Sequence, residues 1–235
     1  MDIFYEPNLP EQGSFFLSKE ESHHCIKVLR NKIHESIFVI DGRGRRAQCK
    51  IESDSDKNCQ VLIEKLEFKS PKTYSIHIAL APTKNIERIE FFLEKAVEMG
   101  IDSITMMICK NSERTIVKQE RLEKILLSAV KQSQAFYIPT LHPQVGFKQC
   151  VQQLNADQKY IAVCDESAPL FSKQVKPNAS LAFLIGPEGD FTSEEIAWAI
   201  ENDFKPLSLG AQRMRVETAA LTCCSWSNFI NLPLV

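Results

Sequence analysis

Two short apolar stretches, each running into a glycine, shape the last third of this chain. Leu181 to Ile185 is wholly apolar and stops at Gly186-Pro187-Glu188-Gly189. A run this short, bounded by turn residues, reads as a buried strand rather than a helix. Phe204 to Leu209 repeats the pattern and ends at Gly210. Between them Thr192 and Glu195 have capping-box spacing, which predicts a helix to about Asn202. After a loop carrying Arg213 and Arg215, a last helix is predicted from Glu217 to about Asn231. Buried strands that end at side-chain-poor turns imply an α/β sheet with a ligand pocket at its C-terminal strand ends.

The preceding residues extend this pattern. Strand-like Tyr74–Ala81, Ile101–Ile108 and Tyr160–Cys164 alternate with helical spacings over Ile86–Val97 and Lys118–Ala135. Such alternation predicts a mainly parallel sheet covered on both faces. Upstream of the polar stretch Glu67 to Thr73 the character changes. Ser18 and Glu21 have capping spacing for a helix near residues 19 to 30, while Ile37–Ile40, Ala47–Ile51 and Cys59–Ile63 read as short strands around a small barrel. The predicted domains are therefore 1–70 and 71–235. Gly42-x-Gly44-x-x-Ala47 matches a dinucleotide fingerprint, but the following residues alternate like a strand where that motif requires a helix, so it is rejected.

A formal charge of −2 over 235 residues excludes a broad, sequence-blind nucleic-acid binder and leaves room for a local basic patch. No apolar run approaches the length of a membrane span, and the first residues lack the marks of a signal peptide, so a soluble cytoplasmic protein is expected. Eight cysteines without a C-x-x-C pair or zinc-like histidine spacing predict reduced thiols, no disulfide framework and no metal.

GPEG before an acid-rich helix start, then Leu209-Gly210-x-x-Arg213-x-Arg215-x-Glu217-Thr218-Ala219, resembles the RsmE family of 16S ribosomal RNA uridine-N3 methyltransferases. His23-His24 followed by Val28-Leu29-Arg30 is similar to that family's N-terminal signature. Lys84, Glu94-Lys95-Ala96-x-Glu98-x-Gly100, Glu113-Arg114 and Gln132-Ser133 fit it in between, so the likeness covers nearly the full length. The resemblance implies a C-terminal SPOUT domain with a trefoil knot, preceded by a PUA-like β-barrel that grips RNA. It also implies S-adenosylmethionine as methyl donor, uridine 1498 of the small ribosomal subunit's 16S rRNA as target, and a homodimer. Three departures stand out: Asp190 replaces a glycine, Val216 replaces a threonine, and Gln134-Ala135-Phe136 replaces a more usual small residue and arginine.

Under that resemblance, Ile185, Gly186, Pro187, Gly189, Leu209, Gly210 and Met214 are the candidate cofactor residues, with bare backbone for adenine and apolar side chains for walls. Uridine N3 must lose a weakly acidic proton before it attacks, and each pKa unit above ambient costs about 1.36 kcal/mol. Arg215, beside a helix N-terminus, is the candidate for steadying the uracil anion, and Glu188 or Glu217 for accepting the proton. Glu217 also fits a purely structural role, complementing the helix dipole and pairing with an arginine. Candidate RNA contacts are His23, His24, Lys27, Arg30, Arg43, Arg45, Arg46 and Arg213. The last helix is apolar all round, which implies burial on more than one side. A ribose 2′-hydroxyl acceptor and a catalytically decayed RNA-binding module are the competing readings.

Overall fold

The computed structural model describes residues 2–165 and 167–232. They form two compact units, one of residues 1–71 with 130–138, the other of 72–129 with 139–235.

In the first unit β1 (Ile3–Tyr5), β2 (Ser14–Phe16), β3 (Ser36–Ile40), β4 (Arg45–Ile51) and β5 (Gln60–Phe68) make one mixed sheet in the order β1-β3-β4-β5-β2. β1 runs parallel to β3 and the other pairs are antiparallel. With β1 and β2 as its edges, the small barrel is a half-barrel. Its inner face buries Phe4, Ile37, Val39, Ala47, Cys49 and Val61. Alternation along β4 places Ala47, Cys49 and Ile51 inward and the intervening residues outward. The Ser18 hydroxyl accepts the Glu21 amide and starts α1 (Lys19–His23), which continues as a π-helical turn over His24–Val28. The fingerprint-like glycines have an explanation inside the unit. A Cβ on Gly42 would come within 2.5 Å of Ile138 Cδ1, and one on Gly44 would strike the Tyr137 hydroxyl. Side chains of 130–138, not a phosphate, require them.

In the second unit the order is β6 (Ser75–Leu80), α2 (Ile86–Glu98), β7 (Ser103–Ile108), α3 (Gln119–Ser133, its last turn belonging to the first unit), β8 (Thr140–Gly146), α4 (Phe147–Gln153) and β9 (Gln158–Ala162), then α5 (Phe171–Gln174), β10 (Ser180–Ile185), α6 (Ser193–Glu201), β11 (Lys205–Leu207) and α7 (Val216–Phe229). The six strands are all parallel, in the order β11-β9-β10-β6-β7-β8. Central β10 is buried along Leu181–Ile185, as a strand covered on both faces must be. The predicted capping box of α6 is formed: the Thr192 hydroxyl accepts from Glu195 N and the Glu195 carboxylate from Thr192 N. The sequence predicts neither β8 nor α4. β8 is a largely exposed edge strand interrupted by Pro143, so it carries no apolar run to detect.

α7 packs on α2, β10 and β6 and buries Val216, Glu217, Ala220, Cys223, Cys224 and Ser227. Its apolar character extends beyond this face. Trp226 is 38% and Phe229 71% exposed in the single chain, so the predicted burial on several sides is met on one. The parallel sheet brings the C-terminal ends of β11, β9 and β10 side by side, and the ligand-sized cleft opens there.

Candidate active site

The segments leaving β9, β10 and β11 wall a cleft of about 250 Å³. Ile185, Gly186, Pro187 and Glu188 form one side, and Leu209, Gly210, Arg213 and Met214 another. Ala162, Val163, Cys164 and Asp165, at the end of β9, complete it. The sequence names no residue of this third wall. Its apolar run also ends there, but without the glycine that marks the other two.

The glycines are required for different reasons. Gly210 has φ +122° and open space around a built Cβ, so its backbone conformation is what excludes a side chain. At Gly186 a Cβ would press the Phe191 ring at 3.1 Å. Gly189 does not line the cleft: a Cβ there would meet Asn111 Cβ at 3.1 Å, and Asn111 Nδ2 donates to the carbonyls of Gly189 and Asp190 at 3.1 and 3.0 Å. Gly189 therefore lets a neighbouring loop clamp the turn. Asp190 keeps the turn its replaced glycine would make. It sits at φ +64°, which Asp tolerates better than most residues, and its Oδ1 accepts the Phe191 amide at 2.8 Å.

The charged candidates separate. Glu188 Oε1 accepts the Lys84 amide at 3.0 Å, while Oε2 is buried without a partner among the described residues. Arg213 Nη2 donates to the Glu188 carbonyl at 3.3 Å. Arg215 is the N-cap of α7; it is exposed and absent from the cleft wall, although its neighbours Met214 and Val216 belong to it. Glu217 is also absent from the wall. It is buried, with Oε1 4.0 Å from Arg88 Nε. Cys164 is the exposed cysteine of the chain, its pKa raised by partial burial and by the Asp190 carboxylate. With Asp165, Glu188 and Asp190 around one arginine, Arg213, the cleft suits a ligand carrying positive charge.

Among the basic residues of the first unit, His23, His24, Lys27 and Arg30 are exposed on consecutive turns, with Lys27 3.7 Å from Asp56. Arg43 is exposed and donates to the Pro7 carbonyl. Arg45 and Arg46 have internal partners. Arg45 Nε lies 2.8 Å from buried Asp41; burial opposes that charge, yet Arg45 and two backbone amides hold the carboxyl below the usual range. Arg46 binds Glu67 at 2.7 Å and stacks 4.3 Å over the Phe136 ring. Phe136, a departure from the family pattern, thus holds an arginine in place.

A family model described as an RNA methyltransferase domain matches residues 70–228, and one described as an RNA methyltransferase PUA domain matches 17–64. The ribosomal RNA small subunit methyltransferase E of Buchnera aphidicola is 29% identical over 227 residues, covering 93% of this chain and 89% of that protein. Among solved structures, a "probable rRNA-methyltransferase" from Porphyromonas gingivalis is 34% identical with a TM-score of 0.89, covering 98% of both chains. The ribosomal RNA small subunit methyltransferase E of Neisseria gonorrhoeae, solved bound to S-adenosyl methionine, is 26% identical with a TM-score of 0.88 over 98% of both chains. Cleft, sheet and likeness along the whole length agree: this chain belongs to the RsmE family of ribosomal RNA small subunit methyltransferases.

Proposed function

We propose that this enzyme transfers a methyl group from S-adenosylmethionine to N3 of a uridine in 16S rRNA, the family target uridine 1498. The observation that carries the reading is the cleft at the ends of β9, β10 and β11. Its apolar walls at Ile185, Leu209 and Met214 fit an adenosine, and its carboxylates fit a ligand with a sulfonium and an ammonium group. The bound donor supplies an electrophilic methyl group and a neutral thioether leaving group.

The protein's tasks are then placement and proton removal. Ile185, Gly186, Pro187, Leu209, Gly210 and Met214 hold the donor, and Gly189 keeps the turn in shape through Asn111. Glu188, its carboxylate held at Oε1 by the Lys84 amide, accepts the N3 proton; a positioned base is typically worth about 10²–10⁴ in rate. Arg215, on the rim at the start of α7, steadies the charge that develops on the uracil. Arg213 holds the Glu188 turn and presents the rest of its charge to the RNA. His23, His24, Lys27, Arg30 and Arg43 supply the RNA-binding face of the first unit, and Arg45 and Arg46 shape it. Glu217 belongs to the fold through Arg88.

The reading includes the superfamily's trefoil knot and a cytoplasmic homodimer, for which exposed Trp226 and Phe229 on α7 provide apolar surface. Nucleoside mass spectrometry of 16S rRNA from a strain lacking this protein tests the function. The account predicts loss of one 3-methyluridine, restored by the wild-type chain. Loss of a ribose-methylated nucleoside instead would overturn it.

A further inference from the structure

Arg114 lies in the loop after β7 and contributes nothing to the cleft wall. Its guanidinium instead grips the segment after β6. Nε donates to the Thr83 carbonyl at 3.0 Å and Nη2 to the Lys84 carbonyl at 2.6 Å. The same segment touches a residue of the cleft wall by its backbone, because the Lys84 amide is the group that donates to Glu188 Oε1. The Lys84 amine is engaged elsewhere, 2.9 Å from Glu113. Thr83 is buried, and its hydroxyl donates to the Asn85 carbonyl at 2.7 Å, which ties the segment to the start of α2. An unbroken chain of contacts therefore runs from Arg114 through two carbonyls and one amide to the carboxylate of Glu188, a residue of the cleft wall.

We infer that Arg114 is a positioning residue for Glu188, fixing the Thr83–Lys84 backbone so that the Lys84 amide holds the carboxylate at Oε1. The inference rests on the proposed role of Glu188. A planar guanidinium serves two carbonyls at once, and a lysine ammonium at the same place is a point donor without that fork. Misplacing a catalytic group by about 1 Å costs up to roughly 10²-fold in rate. Arg114 is half-buried and two of its N–H groups are held by backbone carbonyls, so its effect appears in turnover and not in affinity for RNA.

The test is steady-state kinetics on small ribosomal subunits for wild type, Arg114→Ala, Arg114→Lys, Glu188→Gln and the Arg114→Ala/Glu188→Gln double variant. Glu188→Gln is expected to lower kcat about 10²-fold. Arg114→Ala is expected to lower it about 10-fold with both KM values within about twofold, and Arg114→Lys to recover part of the loss. The double variant should be no slower than Glu188→Gln, since Arg114 has nothing left to position. Should Arg114→Ala fail to fold, Arg114→Lys carries the same comparison. Multiplying effects in the double variant, or a change confined to KM for RNA, would overturn the role of Arg114 while leaving Glu188 in place. Full activity of Glu188→Gln would instead remove the acceptor assignment on which it rests.

Discussion

Glu217 on α7 faces Arg88 on α2, its Oε1 4.0 Å from the guanidinium Nε. The acid is buried in the first turn of its helix and its second oxygen has no partner among the described residues. Geometry of this kind joins two helices and serves no cleft. Replacing Glu217 with alanine leaves Arg88 without its partner and should cost about 1–2 kcal/mol, seen as a lower urea midpoint. kcat should stay within a few-fold of wild type. A collapse of kcat at unchanged stability would return Glu217 to the chemistry.

Gly210 should be the glycine whose replacement separates backbone strain from steric conflict. Its φ of +122° disfavours any side chain, while a Cβ meets nothing within 4 Å. Gly210→Ala is expected to weaken S-adenosylmethionine binding about tenfold by shifting the wall, and to cost about 1–2 kcal/mol in stability. Calorimetric titration checks the first figure and denaturation the second.

His77 predicts a pH dependence of stability. Its ring stacks on His142 with centroids 5.2 Å apart, and Thr105 and Ser103 hydroxyls satisfy both nitrogens at 2.9 and 2.8 Å. Burial first, and His142 second, lower its pKa from 6.5 to about 4. Between those values the unfolded chain binds a proton that the folded chain refuses. The stabilisation is complete above pH 6.5 and is lost as pH falls to about 4, by up to roughly 3 kcal/mol. Denaturant titrations across this window should show that slope, and His77→Asn should flatten it.

Cys164 offers a chemical probe of the cleft. It lines the wall and is exposed, whereas the other cysteines are buried; burial raises Cys49 and Cys150 each to about 12. Iodoacetamide should therefore label Cys164 first, and saturating S-adenosylmethionine should slow that labelling. Equal rates with and without the donor would place the donor elsewhere.

The RNA face should divide by the partners its cations hold. Lys27→Ala and Arg30→Ala should each weaken RNA binding at low salt and reduce the slope of log Kd against log salt by about 1, with little loss of stability. Arg46→Ala gives up both the Glu67 pair and the Phe136 stack and should mainly lower the melting temperature.

The parts of the fold with strong periodicity were legible in the residues alone. The run Leu181–Ile185 and the Thr192/Glu195 box gave β10 and the start of α6 because both signals are local. β8 escaped because an exposed edge strand has no apolar run, and the 130–138 segment escaped as part of the first unit because its contacts with Gly42 and Gly44 are distant in sequence. At the cleft the glycine turns pointed to two walls; the third, at Cys164 and Asp165, has no such marker. Residue type alone did not separate Glu188 from Glu217. One carboxylate meets a backbone amide at the cleft and the other an arginine between helices, a distinction made entirely by tertiary structure.

The central claim is that the cleft bounded by Gly186 and Gly210 holds the methyl donor. Ala211 lines it and is exposed, so Ala211→Trp fills the space without disturbing the core. Titrating S-adenosylmethionine into wild type and into this variant, with circular dichroism to confirm that both are folded, tests the claim directly. Saturable binding of one donor per wild-type chain and none to Ala211→Trp is the predicted result. Equal binding to both would contradict it.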